Sequence, residues 1–154
     1  MRAIHDTQIV ELLGRNWLIN ELVRAGLEVA VPSRDHGVDL IAYVDLKSST
    51  ERFIAKPIQL KAASTCSFGI DRKYARISDL IIAFVWNLQS NATSTAFAMN
   101  YSDAEQIATE MGYTRTSSWI DNGKYSNSNP GTKLRSLLAP YQMSSDLWRK
   151  KITE

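Results

Sequence analysis

The segment that most restricts what this chain can become is 80–86, Leu-Ile-Ile-Ala-Phe-Val-Trp, seven residues without one polar side chain. Seven residues are too few to span a membrane and carry no helical period. A short run of β-branched and aromatic residues with no polar face reads as a strand buried on both sides. Such a strand needs a packing layer on each face, so the expectation is an α/β protein with a central sheet flanked by helices.

The flanking pattern supplies those layers. Asp6-Thr7 is a fair helix cap, and 8–25 reads as a helix with Ile9, Leu12, Leu13, Ile19 and Val23 on one side and Gly26 ending it. Strands are expected over 27–32, 38–44 and 53–63, with a turn at 33–37 and a polar hairpin connection at 46–52; Pro57 points to an irregular start for the third. A short helix is expected at 72–79 and a strand at 95–101. A further helix, from Ser102 to Met111, has Glu105 placed for a capping box and Gly112 as its stop. The stretch 121–132, rich in Asn, Ser and Gly, reads as a long loop, followed by helices at 133–141 and 145–151. Strands one to three form an antiparallel meander, and a helix crosses over to the fourth. At 154 residues this is one domain, with a core at about 8–101 and a helical C-terminal extension at 102–154.

Composition excludes little. The net charge of +2 does not by itself argue for nucleic acid, and Cys66, the single cysteine, allows no internal disulfide. No apolar run reaches the roughly 18–20 residues of a membrane span, and the first residues lack the apolar stretch of a signal peptide. The expectation is a soluble cytoplasmic protein without membrane association.

Chemistry is suggested by charges placed where strands should be apolar. Gln59 and Lys61 are two apart and therefore share a face, about 7 Å from each other at Cα. Asp39 lies among Val38, Leu40 and Ile41, where a carboxylate carries a desolvation cost unless a cation, a metal or donors meet it. Pairing of the two strands would let Asp39 and Lys61 answer each other. Carboxylate and amide oxygens suit Mg²⁺ or Mn²⁺, and a lysine suits the orientation of a water or the stabilisation of negative charge at a phosphate.

The order Gly26, strand, Pro32, Asp35, Gly37-Val38-Asp39-Leu40-Ile41, hairpin, Ile58-Gln59-Leu60-Lys61 resembles the PD-(D/E)xK nuclease superfamily. It is most similar to the small Mrr-type and archaeal Holliday-junction-resolvase-type members. The likeness covers roughly residues 9–87. It implies a restriction-endonuclease-like αβββαβ core, Asp39 and Gln59 as metal ligands, Lys61 as the catalytic lysine, and Mg²⁺-dependent hydrolysis of DNA. Two departures stand against it: Gln59 replaces the usual acid, and the position of the first-helix Glu is occupied by Arg15, leaving Glu11 or Glu21 as substitutes. The helical wheel puts Glu11 between Leu18 and Leu22.

The alternative is a catalytically degenerate member that binds nucleic acid or another protein. Arg72, Lys73 and Tyr74, with Arg76, form a basic and aromatic group that could contact a phosphate backbone. His36 reads as a turn residue beside Asp35. Trp17, Trp86, Trp119 and Trp148 read as packing anchors rather than base-stacking platforms. Because cutting both strands takes two sites, a homodimer is a possible arrangement, with residues from 121 onward as the interface.

Overall fold

The computed structural model describes residues 6–44 and 52–154, so most of the expected hairpin connection at 46–52 lies outside the described residues. The Asp6 side chain accepts a hydrogen bond from the Gln8 amide at 2.9 Å and opens helix α1 (Thr7–Arg24). Gly26, at φ +80°, turns the chain out of it as the sequence predicts. Strands β1 (Leu27–Ala30), β2 (Leu40–Val44) and β3 (Ala55–Ala62) then form the expected antiparallel meander. After β3 come β4 (Phe68–Asp71), a 3₁₀ turn (Arg72–Arg76), and β5 (Ile81–Trp86), which pairs parallel to β3. Strand β6 (Thr95–Asn100) returns antiparallel to β5, giving a mixed five-stranded sheet in the order β1-β2-β3-β5-β6.

Every residue of β5 is buried, and its side chains divide between two cores. Ile81, Ala83 and Val85 meet Leu18 and Leu22 of α1 and Trp148 and Ile152 of a C-terminal helix, α5 (Ser145–Thr153). Ile82, Phe84 and Trp86 meet Phe68, Tyr74 and residues of two further helices, α2 (Tyr101–Glu110) and α4 (Thr132–Leu138). The protein is thus α/β, with its sheet flanked by helices. Among the described residues no helix is long and apolar enough to cross a membrane.

Several expectations are corrected. The buried residues of α1 are Gly14, Leu18 and Leu22, whereas Ile9, Leu12, Leu13 and Val23 are 37–55% exposed. The reason is Gly14: a Cβ there would stand 2.7 Å from Cβ of Ala62, so the helix backbone lies directly on β3 at the one residue that allows it. That contact fixes the rotation of α1 and leaves much of the apolar face read from the wheel outward. The helix expected at 72–79 is a 3₁₀ turn, its N–H at Lys73 held by the Asp71 side chain. No α-helix therefore lies in the crossover from β3 to β5. Helix α2 is capped by Asn100, whose Oδ1 accepts from the Asp103 amide at 2.8 Å; Ser102 is already inside the first turn because β6 runs straight into the helix.

The largest departure lies in the expected loop at 121–132. A 3₁₀ turn (Tyr113–Arg115) and helix α3 (Ser117–Asn122) lead into β7 (Lys124–Asn127), which pairs antiparallel with β4 in a separate two-stranded sheet. Lys-Tyr-Ser-Asn shows little apolar alternation, and it is a strand because β4 offers it an open edge.

Candidate active site

The alternation expected for β3 places Gln59 and Lys61 on the sheet face that carries Ile82 and Phe84, their register partners on β5. Ile58 and Leu60 fill the opposite core. Asp39 is not inside β2 but one residue before it. Its amide still donates to the Ile58 carbonyl at 2.8 Å, and its Oδ2 accepts the Leu60 amide at 2.6 Å. Strand β3 runs on past the start of β2, so the carboxylate supplies the acceptor that a longer β2 would have provided.

Asp39 and Lys61 do not form the ion pair that strand pairing suggested; no contact within 4 Å joins them. The paired register, Leu40 with Ile58, puts Gln59 opposite Asp39 at the next step, while Lys61 lies two residues further along. Lys61 instead donates from Nζ to the Tyr74 hydroxyl at 3.0 Å, with the ammonium 4.9 Å from the centre of the same ring. Tyr74 is 3% exposed, so its ring is a seat for Lys61 and not a surface for a base.

Gln59 is 9% exposed. Its Nε2 donates to the Leu60 carbonyl at 3.3 Å, but its buried Oε1 has no partner. A buried acceptor left unpaired costs roughly 1–3 kcal/mol. Burial also disfavours the charged forms of Asp39 and Lys61. Burial pushes the Asp39 carboxyl above its ordinary range, opposed by the Leu60 N–H and reinforced by the charge of Asp35. Burial lowers Lys61, while Asp71, Asp39, Glu11 and Asp35 all favour its charged form.

Gln59 forms part of the wall of two grooves. One, of about 600 Å³, is bordered by Asp35, His36, Gly37, Lys73, Tyr74 and Arg76. The other, of about 670 Å³, contains Glu11, Lys61, Cys66 and Ser126. Glu11 is exposed and stands over this second groove, three residues before the close approach at Gly14. Glu21 lies ten residues further along α1, about 15 Å away along its axis. Arg15, where the resemblance has an acid, keeps a buried Nε without a partner.

Among the described residues no three His, Cys, Asp or Glu side chains gather as a metal site. The donors present are a carboxylate at Asp39 and the orphaned amide oxygen of Gln59. Both are hard oxygen ligands of the kind Mg²⁺ and Mn²⁺ take, with waters filling the remaining positions.

The other residues singled out from sequence have mostly structural occupations. Arg72 donates from Nη2 to the Trp119 carbonyl at 3.0 Å and stacks on the Trp119 ring. Trp86, Trp119 and Trp148 are buried, and Trp86 donates to the Ser67 carbonyl. His36 is exposed on a groove wall. Two neighbours of the site went unread. Asp71 is the charge that most favours ionised Lys61, and Lys124 borders a third groove with Lys61 and Asp71. The polar letters of β7 carried no signal for that placement. Compared with protein-family models, with curated proteins and with solved structures, the chain matches none.

Proposed function

We propose that the protein is a divalent-cation-dependent endonuclease of the PD-(D/E)xK type, hydrolysing DNA phosphodiester bonds. The observation that carries this reading is the unpartnered, buried Oε1 of Gln59, a residue across the strand register from Asp39 and on the same strand face as Lys61. An apolar residue would fill that position at less cost, so an acceptor held open there argues for a ligand. Asp39 and Gln59 would hold the Mg²⁺ or Mn²⁺, which when bound supplies an activated water and neutralises phosphate charge. Asp39 keeps its place through the Leu60 amide. Lys61, held by Tyr74, donates to the phosphate oxygen on which charge develops. Hydrolysis forms a bond from water oxygen to phosphorus and releases the sugar oxygen, which takes up a proton.

A second reading, a nuclease-fold protein that binds nucleic acid or protein without cutting, is favoured by the donor set. Gln59 is neutral, and Arg15 occupies the position of the helix acid. The deciding experiment incubates the purified protein with plasmid, linear and branched DNA in Mg²⁺, Mn²⁺ or EDTA, beside Lys61→Ala. The nuclease reading expects metal-dependent cleavage that Lys61→Ala reduces by about 10²–10³-fold. Absence of cleavage by folded protein on every substrate sinks it and leaves the binding reading.

A further inference from the structure

Asp71 sits at the end of β4, 13% exposed at its side chain, and two lysines reach the same carboxylate oxygen: Lys73 at 3.7 Å and Lys124 at 3.8 Å. Their side chains are 58% and 64% exposed, so both ammonium groups meet at one partly buried carboxylate and stay open to solvent. They border different grooves. Lys73 belongs to the one that contains Gln59, and Lys124 to the one that contains Lys61.

The placement of Lys124 is built rather than incidental. In the register of β4 and β7 it stands directly opposite Asp71. The turn before it is fastened to Arg72, whose amide donates to the Gly123 carbonyl at 2.8 Å and whose side chain is spent on Trp119. Gly123, at φ +69°, lies so near Arg72 that a Cβ would come within 3.2 Å of the arginine Cβ. The Lys124 carbonyl accepts from the Ser118 hydroxyl at 2.6 Å. Arg72, read from sequence as a phosphate contact, thus works as the clasp that brings another cation to the site.

We propose that Lys73 and Lys124, carried by Asp71, form a two-pronged phosphate-binding fork that seats the DNA backbone across the Gln59–Lys61 strand. This deepens the nuclease reading and shares its substrate. Two exposed ammonium groups held near one carboxylate act as point charges for phosphate, without base specificity. The C-terminal part of the chain therefore contributes to substrate binding through β7, a role nothing in its sequence suggests.

The test measures binding of the full chain to a fluorescently labelled duplex in EDTA across a salt series, with cleavage in Mg²⁺ followed separately. Lys73→Ala and Lys124→Ala are each expected to weaken binding severalfold, irrespective of DNA sequence, and to lower the salt slope by about one. Lys124→Arg should restore the slope, and Lys150→Ala, on the distant α5, should leave it unchanged. A Lys124→Ala protein that is folded by circular dichroism yet keeps wild-type affinity and slope overturns the fork, as does failure to bind DNA at low salt. Binding that follows this pattern without any cleavage upholds the fork and removes the catalytic reading, so the two fail separately.

Discussion

At the residue scale the site is a set of side chains that cost stability where they stand. Asp39 titrates above its ordinary range because burial disfavours its charge. A carboxyl raised on folding stabilises the protein fully below its unfolded value, about 3.9, and that contribution is lost as pH rises through the folded value. Asp39→Asn is therefore expected to raise the melting temperature at pH 7 and, on the nuclease reading, to abolish cleavage. The gain should shrink on acidification, as measured by thermal denaturation across pH. Lys61 is shifted the other way. Its burial penalty is present at neutral pH and is relieved as pH rises through its lowered folded value toward the ordinary value of about 10.4. Lys61→Met should then stabilise at pH 7 and lose that advantage in alkali. Added Mg²⁺ or Mn²⁺ should raise the melting point of the wild type but not of Asp39→Asn. Tyr74→Phe keeps the ring under Lys61 and removes the 3.0 Å hydrogen bond. On the nuclease reading, a fall of about 10- to 100-fold in kcat with KM little changed is expected, since a hydrogen bond to a charged group contributes about 1.5–3 kcal/mol. An equal change in KM would show that Tyr74 acts on binding instead.

At the element scale the instructive case is α1. Its existence, cap and glycine stop are legible in the sequence, but its rotation is not. Five apolar residues named one face, and four of them are exposed. Gly14 decides the matter, because the helix can approach β3 closely only where no Cβ intervenes. Gly14→Ala is expected to destabilise the protein by about 1–3 kcal/mol through overpacking against Ala62, despite the better helix propensity of alanine. Leu18→Ala, at a fully buried position, should cost about 2–5 kcal/mol. Leu12→Lys, at a position 52% exposed, should change stability by no more than about 0.5 kcal/mol. Urea unfolding of the three variants checks the order, and a large loss at Leu12 would contradict the orientation of α1.

At the scale of the whole molecule the C-terminal third completes both cores. Leu134 and Leu138 close one face of the sheet, and Trp148 and Ile152 close the other, all four at 0% exposure. Removing residues 102–154 is expected to leave an insoluble or molten chain, observable as lost near-ultraviolet circular dichroism and broad proton resonances. Much of the architecture could be read beforehand because it follows from local chemistry. An apolar run of seven demands a two-sided sheet, alternation puts Gln59 and Lys61 on one face, and a glycine needing positive φ ends α1. Lys61 and Asp39 were conspicuous because charge in an apolar strand is costly wherever the chain goes. What the sequence could not determine depends on which surfaces meet. The rotation of α1 rests on the close approach of Gly14 to β3, the seat of Lys61 on a tyrosine thirteen residues away, and the arrival of Lys124 beside Asp71 on a polar strand. Hydrogen bonding to an open edge can make a strand of almost any non-proline residues, so β7 leaves no trace in hydrophobic period. Local propensity and polarity therefore determined most elements of this protein and marked Asp39, Gln59 and Lys61, while long-range packing made β7 a strand and decided which residues from distant segments stand together.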